Sequence, residues 1–320
     1  MPTPDLDVVS FGEALVDLLP DSRGKLRDCE RFEVHSGGAP ANVAVGLARQ
    51  GKRVAFAGVV GNDEFGHLLS RKLTNEGIET HLRLSDDART GMWFVALDER
   101  GDRSFFTPTG ANSADKLVRE ADLPDALLAR TRWLHVGSSA HVLPEAQPAL
   151  RDAVARAHAR NIFVSFDPNL RLHLWRDVRD LQALVRDVFP RCSVVKLSLE
   201  EIELCTGATN PEGAASWLVD RGVQLACITL GADGALLQRG KESWRVPSPA
   251  VDVVDTTGAG DGFVAGLLAE LGDAGPTAAS PAIDAAARHA CTVGAQVCTR
   301  LGAVAGLPTR NPLAARALKR

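Results

Sequence analysis

Short apolar runs separated by helix-like stretches form the main pattern of this chain. The runs span residues 8–11, 54–60, 133–136, 162–166, 194–197 and 226–230, and each has the length of a buried strand. Helical patterns fill many of the intervals, for example over 41–50, 145–160 and 211–221. Strands that alternate with helices predict βαβ units. We therefore expect an α/β protein with a mainly parallel central sheet and helices on both faces.

One part of the chain departs from this alternation. Residues 90–97 and 103–107 are two β-prone runs, and the charged segment 98–102 between them contains a glycine. This pattern predicts an antiparallel hairpin. A hairpin inserted into a βαβ chain often leaves the main sheet, so we expect these residues to form a flap.

Composition and charge restrict the class of protein. Hydrophobic residues make up 45% and charged residues 24% of the 320 residues, which is typical of a globular protein. The net charge of −4, with arginines mixed among acidic residues, argues against nucleic acid as a partner. The sequence shows no secretory leader and no apolar run of about 18 residues, so we expect no membrane partner. The six cysteines lack zinc-site spacing, which indicates reduced thiols and a cytoplasmic protein.

The strongest chemical signal is a glycine-rich segment near the end of the chain. It runs from Asp255 to Asp261 as Asp-Thr-Thr-Gly-Ala-Gly-Asp, and a plausible helix follows. Closely approaching backbone N–H groups and a helix N-terminus together form an anion-binding cup. Gly258–Gly260 would then hold a phosphate, and the Asp261 carboxylate would take the proton from an attacking hydroxyl. Without their context, the same residues would make only a turn and a helix cap.

Two other nucleotide-binding motifs are missing. The sequence contains no Gly-x-x-x-x-Gly-Lys-Ser/Thr, and no strand is followed by Gly-x-Gly-x-x-Gly. A P-loop protein and a dinucleotide-dependent dehydrogenase therefore have little support.

Candidate sugar contacts lie near the start of the chain. Asp17 is predicted at the end of an apolar strand, where its carboxylate could accept hydrogen bonds from two hydroxyls, although a turn or cap is the simpler interpretation. Gly37 and Gly38 remove side chains where a ligand could approach the backbone. Asn42, at the start of a helix, offers both a donor and an acceptor to a hydroxyl.

Together, these strings resemble the ribokinase-like (PfkB-type) family of carbohydrate kinases. The early Gly-Gly-Ala-x-Ala-Asn and the late Asp-Thr-Thr-Gly-Ala-Gly-Asp are the two characteristic motifs of that family, and both are intact here. The resemblance covers almost the whole chain. It implies one kinase domain over residues 1–320, with a ribokinase-like fold and a small β-sheet lid formed near 12–36 and 88–110.

The resemblance also implies a role for each matching residue. Asp261 matches the catalytic base, and the backbone of 258–260 matches the anion hole. The positions that match sugar contacts are Asp17, Gly37, Gly38 and Asn42, and those that match the nucleotide site are Lys196, Ser198, Glu201, Thr229, Gly231 and Gly234. Asp255 and Thr257 match positions that bind a monovalent cation such as K⁺ in many members, and residues 300–303 could complete that site.

One position departs from the family pattern. Members often carry Asn-x-x-Glu in the metal–phosphate region, whereas this chain has Ser198 in place of the Asn and keeps Glu201. Serine is the shorter ligand, so the way Mg²⁺ is held is in question. A magnesium ion that accompanies ATP is still expected, with Glu201 contacting it through water.

Four stretches resemble the bacterial fructokinases of this family, namely 11–20, 37–51 with 61–66, 88–105 and 165–171. Within them Arg103 matches a lid arginine that reaches the sugar, although a solvated hairpin charge is the alternative. Asp167, Asn169 and Arg171 follow a buried strand and could approach the acceptor or the phosphates, or could form only a polar loop. The expected reaction is transfer from ATP to the 6-hydroxyl of D-fructose.

Other acceptors and another class of protein stay open from the sequence. Relatives of this family phosphorylate aminoimidazole riboside, 2-keto-3-deoxygluconate or ribose. Trp93 or Phe94 could serve as a platform for a base, and Arg103 or Arg171 could hold a carboxylate. A catalytically silent sugar-binding protein on the same fold would have lost the base or the anion hole, and both are present. A homodimer formed through the lid is a further expectation.

Overall fold

The computed structural model describes residues 4–21, 24–97 and 103–310, and for residues 96, 97, 103–105 and 111 only the backbone. Its strands are β1 (Leu6–Phe11), β2 (Leu15–Pro20), β3 (Phe32–Gly37), β4 (Val54–Gly61), β5 (Glu79–Ser85), β6 (Met92–Leu97), β7 (Arg103–Phe106), β8 (Thr131–Gly137), β9 (Phe163–Asp167), β10 (Val194–Ser198), β11 (Leu225–Thr229), β12 (Ala235–Arg239) and β13 (Glu242–Val246). Its α-helices are α1 (Ala39–Arg49), α2 (Glu64–Asn75), α3 (Asp125–Leu128), α4 (Gln147–Ala159), α5 (Val178–Val188), α6 (Leu199–Thr206), α7 (Pro211–Val219), α8 (Ala259–Leu271) and α9 (Ser280–Val297).

Nine of these strands form the large sheet, in the order β13-β12-β11-β10-β9-β8-β1-β4-β5. All neighbours from β11 to β5 pair in parallel, whereas β12 and β13 form an antiparallel edge. In the centre, Val9 of β1 stands opposite Ala55 on one side and Leu134 on the other. The six apolar runs predicted as strands all fall in this sheet, so that prediction is confirmed.

Alternating side chains of the strands bury two apolar layers, one on each face of the sheet. Val8 and Phe56 face the layer formed with α1, α2, α8 and α9, whereas Val9 and Phe166 face the layer formed with α4–α7. A fully buried large apolar side chain contributes roughly 1.5–3 kcal/mol through the hydrophobic effect. The predicted α/β architecture, with helices on both faces of the sheet, is confirmed.

A separate small sheet has the strand order β3-β2-β6-β7. Strands β6 and β7 pair antiparallel, with Phe94 opposite Phe106, so the predicted hairpin is confirmed. It leaves the main sheet, as expected, and β6 runs parallel to β2. The turn at 98–102 lies outside the described residues.

The position predicted for Asp17 was wrong. The strand that begins near Leu6 ends at Phe11, and Asp17 lies in the middle of the next strand, β2, opposite His35 of β3 and Trp93 of β6. The chain turns between the two strands and passes from the large sheet into the small one. Asp17 therefore belongs to the small sheet.

Two further expectations concern the chain as a whole. Five of the six cysteines are buried, Cys29 is half-buried, and none is in a disulfide in the part of the chain that the structure describes. Across the same residues, no helix combines the length and apolar character that a membrane crossing requires.

Candidate active site

A cavity of about 390 Å³ lies beyond the carboxyl ends of β1, β9 and β10 and is bounded on its other side by β2 and β6. From β1 the chain adds strands first on one side, at β4 and β5, and then on the other, beginning at β8. Such a switch point is where open α/β sheets bind ligands. The residues predicted for the site that line this cavity are Asp17, Gly38, Asn42, Arg171, Lys196, Ser198, Glu201, Thr257, Gly258, Gly260 and Asp261.

Asp261 lies in the first turn of α8, with only 7% of its surface exposed. The Asn42 side-chain amide donates to Asp261 Oδ2 over 2.8 Å, although the two residues are 219 positions apart in sequence. Burial raises the pKa of the Asp261 carboxyl to about 6, and the hydrogen bond from Asn42 opposes this shift. A carboxyl of this pKa can be ionised at neutral pH and still take up a proton.

The backbone before α8, where the anion-binding cup is predicted, has a tightly constrained geometry. Gly258 has φ +79°, and a Cβ at this position would lie 2.6 Å from Ala303 Cβ, so only glycine fits. Ala259 is the first residue of α8, where N–H groups have no acceptor in a preceding helical turn, and its own N–H donates to the carbonyl of Thr256 over 3.2 Å. The positive end of the helix dipole adds to their attraction for an anion.

A buried ion pair lies beside this cup. Lys196 Nζ contacts Asp167 Oδ2 at 3.0 Å, and both side chains are less than a tenth exposed. Burial alone would lower the pKa of Lys196, but the carboxylates of Asp167 and Glu201 raise it above its ordinary value. A Cβ at Gly260 would lie 2.9 Å from Lys196 Nζ, so this ammonium group borders the anion site.

Glu201 links the loop after β9 to the start of α6. Its two carboxylate oxygens accept backbone N–H groups from Leu170, at 2.7 Å, and from Ser198, at 2.8 Å. Asn169, the residue before Leu170, has φ +45°, an unusual conformation for a residue other than glycine. Since each oxygen already accepts one hydrogen bond, a cation bound through water fits this carboxylate better than direct coordination.

The predicted sugar contacts lie at the other end of the cavity. A Cβ at Gly37 would collide with the Asp17 carboxylate, and a Cβ at Gly38 would collide with the backbone carbonyl of Glu13. Gly38 also has φ +99°. The two glycines therefore allow β3 and the start of α1 to close against β2, with Asp17 and Asn42 on the cavity wall.

Some predicted residues lie away from the cavity lining. Thr229, which ends β11, stands opposite Ser198 of β10, and Gly231 and Gly234 follow in the next turn. This places the three predicted nucleotide residues one strand beyond the cavity. Arg171 does line the cavity, but it is exposed at the rim. The backbone of Arg103 lies in β7, but its side chain lies outside the described part of the chain.

Asp255 ties together the two segments predicted for a monovalent cation. Its Oδ1 accepts hydrogen bonds from Thr257 N at 2.9 Å and Thr257 Oγ1 at 2.8 Å, and its Oδ2 accepts one from Gly302 N at 2.8 Å. Carboxylate, hydroxyl and nearby carbonyl oxygens are ligands that suit a hard cation.

Sequence reasoning missed two buried charged residues of the cavity wall. Glu13 and Lys116 both line the cavity and are only 3% and 2% exposed. Lys116 forms an ion pair of 2.6 Å with the buried Asp115. The available signal was the position of Glu13 two residues after a buried strand, since ligands bind beyond strand ends. Trp93, considered only as a platform for a base, also lines the cavity.

Comparison with known proteins identifies the class to which this fold and site belong. The family model described as pfkB family carbohydrate kinase matches residues 5–310. The chain belongs to this family of carbohydrate kinases, so both the resemblance and the expected class of enzyme are confirmed.

The most similar relatives include several fructokinases. The fructokinase of Escherichia coli is 38% identical over 306 residues, which cover 95% of this chain and 96% of that protein. The fructokinase of Vibrio alginolyticus is 36% identical over 303 residues, covering 94% and 96%.

Solved structures match over nearly the whole chain and confirm the ribokinase-like fold. The Vibrio cholerae O395 fructokinase in fructose, ADP and calcium ion bound form has a TM-score of 0.84 at 36% identity, covering 97% of this chain and 98% of that one. A double mutant of that fructokinase in fructose, ADP and potassium ion bound form has a TM-score of 0.85 at 35% identity, covering 98% and 99%. An aminoimidazole riboside kinase from Salmonella enterica, complexed with aminoimidazole riboside and an ATP analog, has a TM-score of 0.83 at 30% identity, covering 97% and 99%.

Proposed function

We propose that the protein is a fructokinase that transfers the γ-phosphoryl group of ATP to the 6-hydroxyl of D-fructose. The observation that carries this proposal is the 2.8 Å contact between Asn42 and Asp261. It joins a side chain suited to a sugar hydroxyl to a carboxylate at the edge of an anion-binding helix terminus. The relatives named fructokinase support fructose as the acceptor.

In this mechanism Asp261 takes the proton from the 6-hydroxyl while the hydroxyl oxygen attacks the γ-phosphorus. The bond between that phosphorus and the leaving ADP oxygen breaks, giving fructose 6-phosphate and ADP. The N–H groups at 258–260 and the Lys196 ammonium group stabilise the negative charge of the phosphoryl group in transfer. Closure of the small sheet as a lid over the single kinase domain would exclude water, so that ATP is not hydrolysed.

Two cations fit the donor groups at this end of the site. Glu201 would hold Mg²⁺ through water, near Ser198, and this ion would neutralise phosphate charge when ATP is bound. Asp255 and Thr257, with the segment that contains Gly302, would hold K⁺ beside the anion cup. Both roles are proposals that rest on the oxygen donors gathered there.

The charge of the acceptor end favours a neutral sugar. The carboxyl groups of Glu13, Asp17 and Asp261 line it, whereas Lys116 is the nearby cation and is already paired with Asp115. A keto acid would bring a further carboxylate among these buried groups and be repelled there, unless an arginine at the rim or in the lid held that carboxylate. Arg103 and Arg171, as proposed sugar contacts, would approach from the lid and the rim.

Aminoimidazole riboside is the second candidate acceptor. Trp93 on the cavity wall offers an aromatic surface on which a heterocycle could stack, and it contacts His173 edge-on at 5.3 Å between ring centroids. An ATP-dependent kinase for that nucleoside would use the same base and anion cup. Ribose and 2-keto-3-deoxygluconate complete the set of acceptors to be compared.

A coupled assay of ADP release tests the proposal. Purified protein with Mg²⁺-ATP would be offered fructose, ribose, aminoimidazole riboside and 2-keto-3-deoxygluconate in parallel, with a sugar-free control for ATP hydrolysis. We expect the highest kcat/KM on fructose, with phosphate at the 6-position by NMR. Preference for another acceptor would overturn the fructose assignment. Sugar binding without any turnover would favour a silent sugar-binding protein.

Activity should fall as the pH falls through about 6. The base must be ionised to accept a proton, and burial raises the pKa of Asp261 to about 6 from an ordinary value of 3.8. The decline in kcat/KM should therefore begin well above the range of an exposed aspartate. Initial rates measured from pH 5 to 8 at constant ionic strength, with coupling enzymes in excess, would check this. A flat profile down to pH 5 would contradict it.

Replacement of K⁺ should lower kcat and leave the affinity for fructose almost unchanged. If a monovalent cation binds between the segments that contain Asp255 and Gly302, it orders the backbone of the adjacent anion cup. We expect kcat to fall several-fold when K⁺ is exchanged for tetramethylammonium at equal ionic strength, while fructose affinity changes little. The variant Thr257→Val should lose this response. Equal rates in both salts would argue against the site.

Two further parts of the proposal concern the protein in solution and in the cell. Phe32, Phe94 and Phe106 form an aromatic group on the small sheet, in which Phe106 is 56% exposed, and this supports a homodimer formed through the lid. Sedimentation velocity of Phe106→Ser beside the unaltered protein would test the dimer. The thiols of the described residues form no disulfide there, which supports the cytoplasm as the compartment.

A further inference from the structure

Glu13 has an unusual environment for a carboxyl group. It follows the central strand β1 and is 3% exposed, yet it borders the cavity. Its Oε1 accepts the backbone N–H of Ala39, the first residue of α1, over 3.3 Å. Its Oε2 is buried and has no hydrogen-bond partner among the described residues.

The neighbours of Glu13 do not supply the hydrogen bond that its Oε2 lacks. Lys116, whose charge acts on Glu13, is paired with Asp115 at 2.6 Å, and no ion pair joins Lys116 to Glu13 within the described ranges. The charge of Lys116 still reaches Glu13 and partly opposes the effect of burial, which raises the pKa of Glu13 to about 7. Asn42 repeats the pattern, since its Oδ1 is also buried without a partner in the described part of the chain.

A buried polar atom without a hydrogen bond destabilises the folded protein. Two such oxygen atoms on residues of one cavity are explained if a ligand supplies their donors. A hydroxyl group is a suitable ligand because it donates a hydrogen bond to a carboxylate and can still accept a hydrogen bond from a cation. The acceptor end of the cavity, where Asp17 also lies, is the place where a polyhydroxy compound would meet both atoms.

We propose that Glu13 is a specificity-determining residue whose Oε2 accepts a hydrogen bond from a hydroxyl of the acceptor sugar. This proposal rests on the proposed function, since it assigns a further contact to the same acceptor. The hydroxyl concerned is one that does not receive the phosphoryl group, because Asp261 serves that one. Glu13 would then bind the sugar from the large-sheet side of the cavity and Asp17 from the small-sheet side.

The alternative is that Glu13 only holds the start of α1 through Ala39. A structural residue of this kind would affect all sugars equally, whereas a contact to one hydroxyl would affect only sugars that have it. The two roles can therefore be separated with substrate analogues that each lack one hydroxyl.

The experiment compares Glu13→Gln and Glu13→Met with the unaltered protein. Glu13→Gln keeps the shape and an acceptor for Ala39 N–H, and Glu13→Met removes both polar atoms. We expect KM for fructose to rise about 10-fold in the first and about 100-fold in the second, the range of one charge-assisted hydrogen bond, with KM for ATP nearly unchanged. Asp122→Asn is the matched control, because Asp122 is a buried carboxylate paired with Arg83 away from the cavity.

Fructose analogues that lack the 1-, 3- or 4-hydroxyl complete the test. For the analogue that lacks the hydroxyl bound by Glu13, the unaltered protein and Glu13→Gln should have about the same kcat/KM, a ratio of about 1. For the other analogues, the ratio should be as large as it is for fructose. An equal loss on every analogue, or no loss on fructose, would overturn the proposal. If Glu13→Met fails to fold, as judged from its melting temperature, Glu13→Gln still decides whether Glu13 contacts the sugar or is only structural.

Calorimetric titration with fructose separates this inference from the proposed function. Weaker fructose binding in Glu13→Gln than in Asp122→Asn supports Glu13 as a sugar contact even if the unaltered protein fails to phosphorylate fructose. Turnover on fructose with unchanged binding in Glu13→Gln keeps the fructokinase and overturns the role of Glu13. Absence of both fructose binding and turnover in the unaltered protein overturns both proposals.

Discussion

Replacing Asp261 with Asn should lower kcat on fructose by about 10²–10⁴-fold, the range for a lost general base. The substitution keeps the shape of the side chain and leaves an oxygen for the Asn42 amide, which lies 2.8 Å from Asp261 Oδ2. The sugar should therefore still bind, and its dissociation constant from calorimetry should change little. The asparagine cannot take a proton, so the loss should fall on the chemical step.

Melting temperature provides the control for this variant. Because burial raises the folded-state pKa of Asp261 above its ordinary value, the group destabilises the fold progressively as the pH rises from about 4 to about 6, and fully above that. At about 1.4 kcal/mol per pKa unit, the neutral Asn should relieve up to roughly 3 kcal/mol at pH 7.5. We expect Asp261→Asn to melt no lower than the unaltered protein. An inactive variant that also melts early would point to a structural role instead.

The burial of each strand decided how well it could be predicted from the sequence. Residues 54–60 form an uninterrupted apolar run because β4 is buried along its whole length between two layers of helices. Strand β5, at the sheet edge, reads Glu-Thr-His-Leu-Arg-Leu-Ser and is mostly half-buried, so no apolar run marks it. Edge strands lack a neighbour on one side, and their composition resembles that of a loop.

The error over Asp17 has a related cause. The run that contains Asp17 looks like the continuation of a strand, because local periodicity shows that a segment is extended but not which sheet it joins. The turn after Phe11 carries the chain out of the large sheet, and only pairing with β3 and β6 reveals the change. Strand pairing depends on residues far apart in sequence, which a single sequence does not specify.

The residues of the candidate site also differ in how well the sequence predicted them. Asp261 and Gly258 were predicted because their chemistry is concentrated in one short string. Glu13 and Lys116 come from separate segments, and each looks like an ordinary surface charge beside a turn. Their burial, at 3% and 2% exposure, results from tertiary packing and is invisible to local pattern. The Asn42–Asp261 contact joins two motifs 219 positions apart in the chain and was not predicted from the sequence.

Replacing Lys196 with Met should lower kcat by about 10²–10³-fold, comparable to the loss of one stabilising group in an oxyanion site. The ammonium group borders Gly260 and is the buried cation nearest to the anion cup, so its charge is available to the phosphoryl group in transfer. The same substitution leaves Asp167 buried without its partner, which costs about 3–5 kcal/mol. We therefore expect a fall in melting temperature together with the fall in kcat.

The double variant Lys196→Met with Asp167→Asn separates these two effects. Removing both charges abolishes the uncompensated buried carboxylate, so most of the stability should return. The anion cup would still lack its neighbouring cation, so kcat should stay low. Recovery of both melting temperature and kcat would mean that Lys196 acts only by balancing Asp167. Recovery of stability alone would mean that the charge of Lys196 helps to stabilise the phosphoryl group in transfer. Because the pKa of this buried lysine is raised, it carries that charge at any physiological pH.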